Sequence, residues 1–99
     1  MVLRKIVRRQ YSVPEEKPGA ERGNIFREAI DRIEPYCQSQ DTGENHLYEA
    51  VVPTIPGGHI FINKATGFVL FEHLEATQNS DLEEFERILT GRRGLVRTK

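Results

Sequence analysis

"IPGGHIFINKATGFVLFEHL", residues 55–74, is the most apolar stretch of this 99-residue chain, and its reading decides the fold. In HIFIN, Ile60 and Ile62 alternate with His59, Phe61 and Asn63. In FVLFEH, Phe68, Leu70 and Glu72 alternate with Val69, Phe71 and His73. A period of two is that of a strand, whose successive side chains point to opposite faces. NKATG between the two runs has turn chemistry, with Gly67 free to take the positive φ that closes a short bulged hairpin. Gly57 and Gly58 precede a strand rather than a helix, so they read as turn residues and not as a phosphate cradle.

Helices flank this hairpin. NIFREAIDRIEPYC, residues 24–37, places Ile25, Phe26, Ala29, Ile30 and Ile33 on one helical stripe, with Asn24 as the expected N-cap. Pro35 should end that helix near Ile33, because it lacks an N–H and crowds the residue before it. QSQDTGEN, residues 38–45, reads as a polar connection, and HLYEAVVPTI, from residue 46, as a strand up to Pro53. At SDLE, residues 80–83, Ser80 and Glu83 have the spacing of a capping box. Leu82, Phe85, Ile88 and Leu89 form the apolar stripe that follows, and Gly91 suits the residue that terminates a helix.

Residues 24–91 thus read as a single α+β domain: a three-stranded antiparallel sheet with two helices on one face. Ahead of it, PEEKPGAERG, residues 14–23, has no apolar face and reads as a linker. The basic segment VLRKIVRRQYSV, residues 2–13, fits either an extra strand or a short helix. As a helix it separates Val2, Leu3, Ile6 and Val7 cleanly from Arg4, Lys5, Arg8 and Arg9. As a strand it mixes Lys5 and Arg9 into the face of Val7 and Tyr11. Residues 92–99 read as a basic tail. Three layers of assignment follow: 1–23 as basic segment and linker, 24–91 as domain, 92–99 as tail. The sheet face opposite the helices needs a cover or stays wet, and His59, Phe61 and Asn63 are candidates for it.

Composition narrows the class. Apolar residues make up 37% and charged residues 29%, and no apolar run approaches the ~20 residues that cross a bilayer. No signal-peptide pattern follows Met1, which predicts an intracellular, cytoplasmic protein without a membrane partner. Cys37 is the only cysteine, so no intrachain disulfide forms, and nothing basic flanks it to make it a nucleophile.

The net charge of −1 hides segregation. All fifteen carboxylates lie between Glu15 and Glu86, and residues 14–90, which contain them, hold only six cations, a deficit of nine. Each end carries four cations and no acid: Arg4, Lys5, Arg8 and Arg9 at one, Arg92, Arg93, Arg97 and Lys99 at the other. Such ends fold back on the acidic body, complement the carboxyl end of the second helix, contact nucleic acid, or steer docking on an acidic protein. An acidic body argues against wrapping DNA. It leaves a local RNA contact open, with Tyr11 and Phe61 as stacking aromatics, although aromatics more often serve the core.

Catalysis and metal binding have less to stand on. Cys37, His46, His59 and His73 lack the close ligand pairs of structural zinc sites, and the chain contains no Walker, Rossmann or G-x-S-x-G pattern. His59 and His73 on paired strands, with Glu72 or Glu49 nearby, would suit metal-independent phosphodiester cleavage if both imidazoles shared a site. GGHIF followed by a hairpin and a helix resembles the HicA-type RNA-cleaving toxins over that short stretch, with Gly58 where a serine is typical. The resemblance implies an RNA-directed role for His59; the acidic body departs from it.

The sequence therefore predicts a small non-catalytic binding or regulatory protein, with no cofactor, that docks on a larger protein partner. The expected contacts are Arg4, Arg8, Arg9, His59, Phe61, Arg92 and Arg93. The alternatives are an RNA- or DNA-binding module and a small ribonuclease using His59 and His73. Homodimerisation through an exposed strand is a variant of the first reading.

Overall fold

The computed structural model describes residues 5–14, 19–92 and 94–98, with the backbone alone for residues 19–22. Its elements run β1 (Ile6–Ser12), α1 (Gly19–Ile33), a 3-10 turn (Glu34–Tyr36), β2 (Gln38–Gln40), β3 (Leu47–Val51), β4 (His59–Asn63), β5 (Phe68–Leu74), α2 (Asn79–Thr90) and β6 (Val96–Arg97). The strands form one antiparallel sheet in the order β2-β3-β4-β5-β1-β6. The α+β class and the two helices stand, but the sheet has six strands, not three.

The expected hairpin is its centre. β4 and β5 pair with Ile60 opposite Phe71 and Ile62 opposite Val69, and all four side chains are fully buried. Gly67 takes a φ of 80°, and its N–H donates to Asn63 O at 2.8 Å to close the turn. β3 lies against the outer edge of β4, with Ala50 opposite Ile60.

The three added strands have separate causes. β1 pairs with β5 along six residues, from Ile6 opposite Leu74 to Tyr11 opposite Val69, so residues 6–12 are an internal strand and no helix. Its core-facing side carries Arg9 beside Tyr11, the mixture that blurred the strand pattern; both are satisfied by Glu86 on α2. β2 is Gln38, Ser39 and Gln40, all exposed at the sheet's edge, where strand pairing needs no apolar residue. β6 is two residues long and pairs with the end of β1.

Two helix starts also differ from expectation. α1 begins at Gly19, inside the expected linker, so Asn24 sits in the helix rather than at its cap. α2 begins at Asn79 after Gln78, with no side-chain hydrogen bond at the cap, so the capping box of Ser80 and Glu83 does not form. The ends agree: α1 stops at Ile33 ahead of Pro35, and Gly91 caps α2 with a φ of 63°.

Both helices press on one side of the sheet. Phe26, Ala29 and Ile33 of α1 and Leu82, Phe85 and Leu89 of α2 are buried against it, and the Phe71 and Phe85 rings lie 4.8 Å apart. Burying side chains of this size contributes roughly 1.5–3 kcal/mol each. The carboxyl end of α2 is held by α1: Arg32 Nε donates to Ile88 O at 2.7 Å and its Nη2 to Leu89 O at 3.0 Å. That cation comes from α1.

Candidate functional site

The alternation that buries Ile60 and Ile62 turns His59, Phe61 and Asn63 to the face away from the helices. Register supplies their neighbours. Phe61 stands between Glu49 on β3 and Leu70 on β5, and His59 stands between Val51 and Glu72. Arg8 of β1 lies opposite Glu72, Gln10 opposite Leu70 and Ile6 opposite Leu74. Ile6, Val51 and Phe68 are 51%, 38% and 41% exposed, high for side chains that gain from burial. Phe61 and Phe68 meet edge to face with centroids 6.2 Å apart.

A charged row crosses this apolar ground. His59 Nε2 donates to Glu49 Oε1 at 3.0 Å, while its Nδ1 is buried without a hydrogen-bond partner, 3.7 Å from Glu72 Oε1. The other oxygen of Glu72 accepts from Arg8 Nε at 2.7 Å. The order across the strands is thus acid, imidazole, acid, guanidinium. The loop before β4 fixes where His59 enters. Gly58 is buried there, and an added Cβ would lie 2.8 Å from Ile55 O and 2.9 Å from the Val52 side chain.

The two histidines of the ribonuclease alternative are not brought together. Glu72 is the residue opposite His59, so its neighbour His73 points to the helix side, 2% exposed, with its ring beside Phe71 and Nδ1 donating to Leu74 O at 2.8 Å. A two-imidazole mechanism requires both rings within reach of one phosphodiester. Opposite sheet faces do not allow it. Among the described residues, no group of three or more His, Cys, Asp or Glu side chains is arranged to hold a metal.

The expected basic contacts scatter. Arg8 belongs to the open face, Arg9 points to the helix side and donates to Glu86 Oε2 at 3.0 Å, and Arg92 is exposed. Arg97 also approaches Glu86, at 3.5 Å. Arg4 and Arg93 lie outside the described residues. Three of the cations that suggested a negatively charged target are therefore engaged by the protein's own carboxylates.

Sequence reasoning named Glu49 and Glu72 as neighbours of His59 but missed Val51, Phe68 and Leu70 as members of this surface. Their alternation was visible, but only the register states which of them flank His59 and Phe61. On the helix side, Tyr36, Thr54, Phe85 and Ile88 line a cleft of about 240 Å³ rimmed by Asp81 and Glu84. It falls below the roughly 300 Å³ at which small-molecule pockets begin. Cys37 is half-buried against the core, and burial pushes its thiol up to about 11, away from the reactive thiolate.

No protein family, characterised protein or solved structure matches the chain. No helix among the described residues is long and apolar enough to cross a membrane.

Proposed function

We propose that the protein is a small, non-catalytic binding module of the cytoplasm whose working surface is the uncovered face of its sheet, and that this face docks on another protein. The observation that carries the reading is the row of apolar side chains, Ile6, Val51, Phe61, Phe68 and Leu70, on the side that the helices leave bare. Buried on contact, that surface supplies the driving force of association. Glu49, His59, Glu72 and Arg8 supply orientation, as paired charges at an interface do.

A nucleic-acid surface is the second reading, favoured by the Phe61 and Phe68 rings as stacking platforms. Two carboxylates share that face with a single described arginine, which Glu72 already engages. Phosphate would meet repulsion there, which weighs for a protein.

Affinity purification of the tagged protein and of a Phe68→Asp variant from the native cell, with and without nuclease, separates these readings. A protein retained after nuclease and lost in Phe68→Asp is the expected result. Capture that nuclease abolishes would overturn the proposal in favour of nucleic acid.

A further inference from the structure

The charges on the open face are ordered, and the order has a consequence for what covers it. Across the four long strands, β3 carries Glu49, β4 carries His59 and Phe61, β5 carries Glu72 and Leu70, and β1 carries Arg8. Consider a twofold axis that runs along the strands between β4 and β5 and brings two such faces together. It lays β4 of one copy over β5 of the other, and β3 over β1. Phe61 then faces the partner's Leu70, and His59 faces the partner's Glu72. Arg8 falls one residue pair from the partner's Glu49, within reach of a long side chain. Each of these contacts occurs twice, as a two-fold interface demands.

We infer that the occupant of the uncovered sheet face is a second copy of this chain, packed sheet to sheet. The inference rests on the binding reading above and names its partner. The face answers its own pattern at its centre, where His59 meets the partner's Glu72 and Phe61 the partner's Leu70; at the flanks Val51 lies level with the partner's Arg8, whose long side chain reaches one step along to Glu49. Four strands of about five residues make a patch of about 17 by 19 Å. With the short β2 and β6 added on either side it stays below the ~800 Å² per partner of a standard interface, which places the dimer among weak, concentration-dependent ones. Aligned packing of two twisted sheets at about −30° is a common way to bury such faces.

Sedimentation equilibrium of the full chain over micromolar to millimolar concentrations tests this. A species of twice the 11.4 kDa chain mass is expected. Phe68→Asp should weaken self-association by at least about tenfold, a change of about 1.4 kcal/mol. Charge reversal gives the sharper readout. Arg8→Glu sets a carboxylate against the partner's Glu49, and Glu49→Arg sets a guanidinium against the partner's Arg8, so each variant alone should dissociate. Mixed, the two variants regain opposite charges at both contacts and should form a heterodimer. Circular dichroism checks that each variant stays folded. A chain that remains monomeric to millimolar concentration overturns the inference, and so does a dimer indifferent to all three substitutions. Loss of a different captured protein in Phe68→Asp, together with a monomeric wild type, would remove the second copy and leave the binding reading standing.

Discussion

The Tyr11 hydroxyl donates to Glu86 Oε2 at 2.6 Å, tying a strand near one end of the chain to a helix near the other. The same oxygen accepts from Arg9 at 3.0 Å and lies 3.5 Å from Arg97. One carboxylate therefore joins β1, β6 and α2. Removing it leaves a nearly buried phenol without an acceptor and two guanidinium groups without a counter-charge. Glu86→Ala should lower stability by about 2–3 kcal/mol, the worth of a charge-assisted hydrogen bond whose buried donor is stranded. Tyr11→Phe should cost less, because it removes donor and desolvation penalty together. Urea denaturation of both single variants and the double variant checks this through the coupling energy, which should be well above the few tenths expected of independent sites.

Arg32 works at a second junction between distant elements. Its guanidinium covers the last carbonyls of α2, where the negative end of the helix dipole lies. Arg32→Ala should destabilise the fold by about 1–2 kcal/mol. Arg32→Lys should recover only part of the loss, since an ammonium cannot present two parallel donors to two carbonyls. Thermal melts of the three proteins give the ranking.

Alkaline pH should act on the buried acids of the helix side. Burial raises the Cys37 thiol to about 11 and the Tyr48 hydroxyl to about 12, and it raises the Tyr11 hydroxyl further, with Glu86 adding to the effect. In each case the folded chain keeps a proton that the unfolded chain releases. The contribution is thus intact below the unfolded values, about 9 for the thiol and 10 for the phenols, and declines as pH rises through the folded ones. Urea midpoints should fall from about pH 9 to 11. Cys37→Ala should flatten the first part of that decline and leave the later phenol part in place.

The elements that sequence alone made legible were those whose burial is periodic: the β4–β5 hairpin, β3, and the stripes of α1 and α2. The face carrying His59 and Phe61 was legible too, because alternation assigns it without any partner. Its membership was not. Which residues flank His59 depends on register with β3 and β5, and Arg8 joins only because β1 completes the other side of β5. β1 itself was ambiguous for a physical reason. Arg9 faces the core side, and its compensation by Glu86 comes from a residue 77 positions away. The edge strand β2 carried no signal because exposed Gln and Ser side chains record nothing about backbone pairing.

The early start of α1 was hidden by glycines, and one of them yields the last test. Gly23 suggested a loop, yet it lies inside the helix, exposed, with nothing within 4 Å of where a Cβ would stand. Glycine there gives up more backbone freedom on folding than alanine would and returns no packing for it. Gly23→Ala adds a methyl group to open space and narrows the unfolded ensemble, so it should raise stability by about 0.5–1 kcal/mol. Gly58→Ala makes the opposite case, because its Cβ would meet Ile55 O and the Val52 side chain at under 3 Å and push against the loop that delivers His59. Thermal denaturation should show a higher midpoint for Gly23→Ala and a lower one for Gly58→Ala. A lower midpoint for Gly23→Ala would place residues 19–23 outside the helix and return them to the linker that their composition suggested.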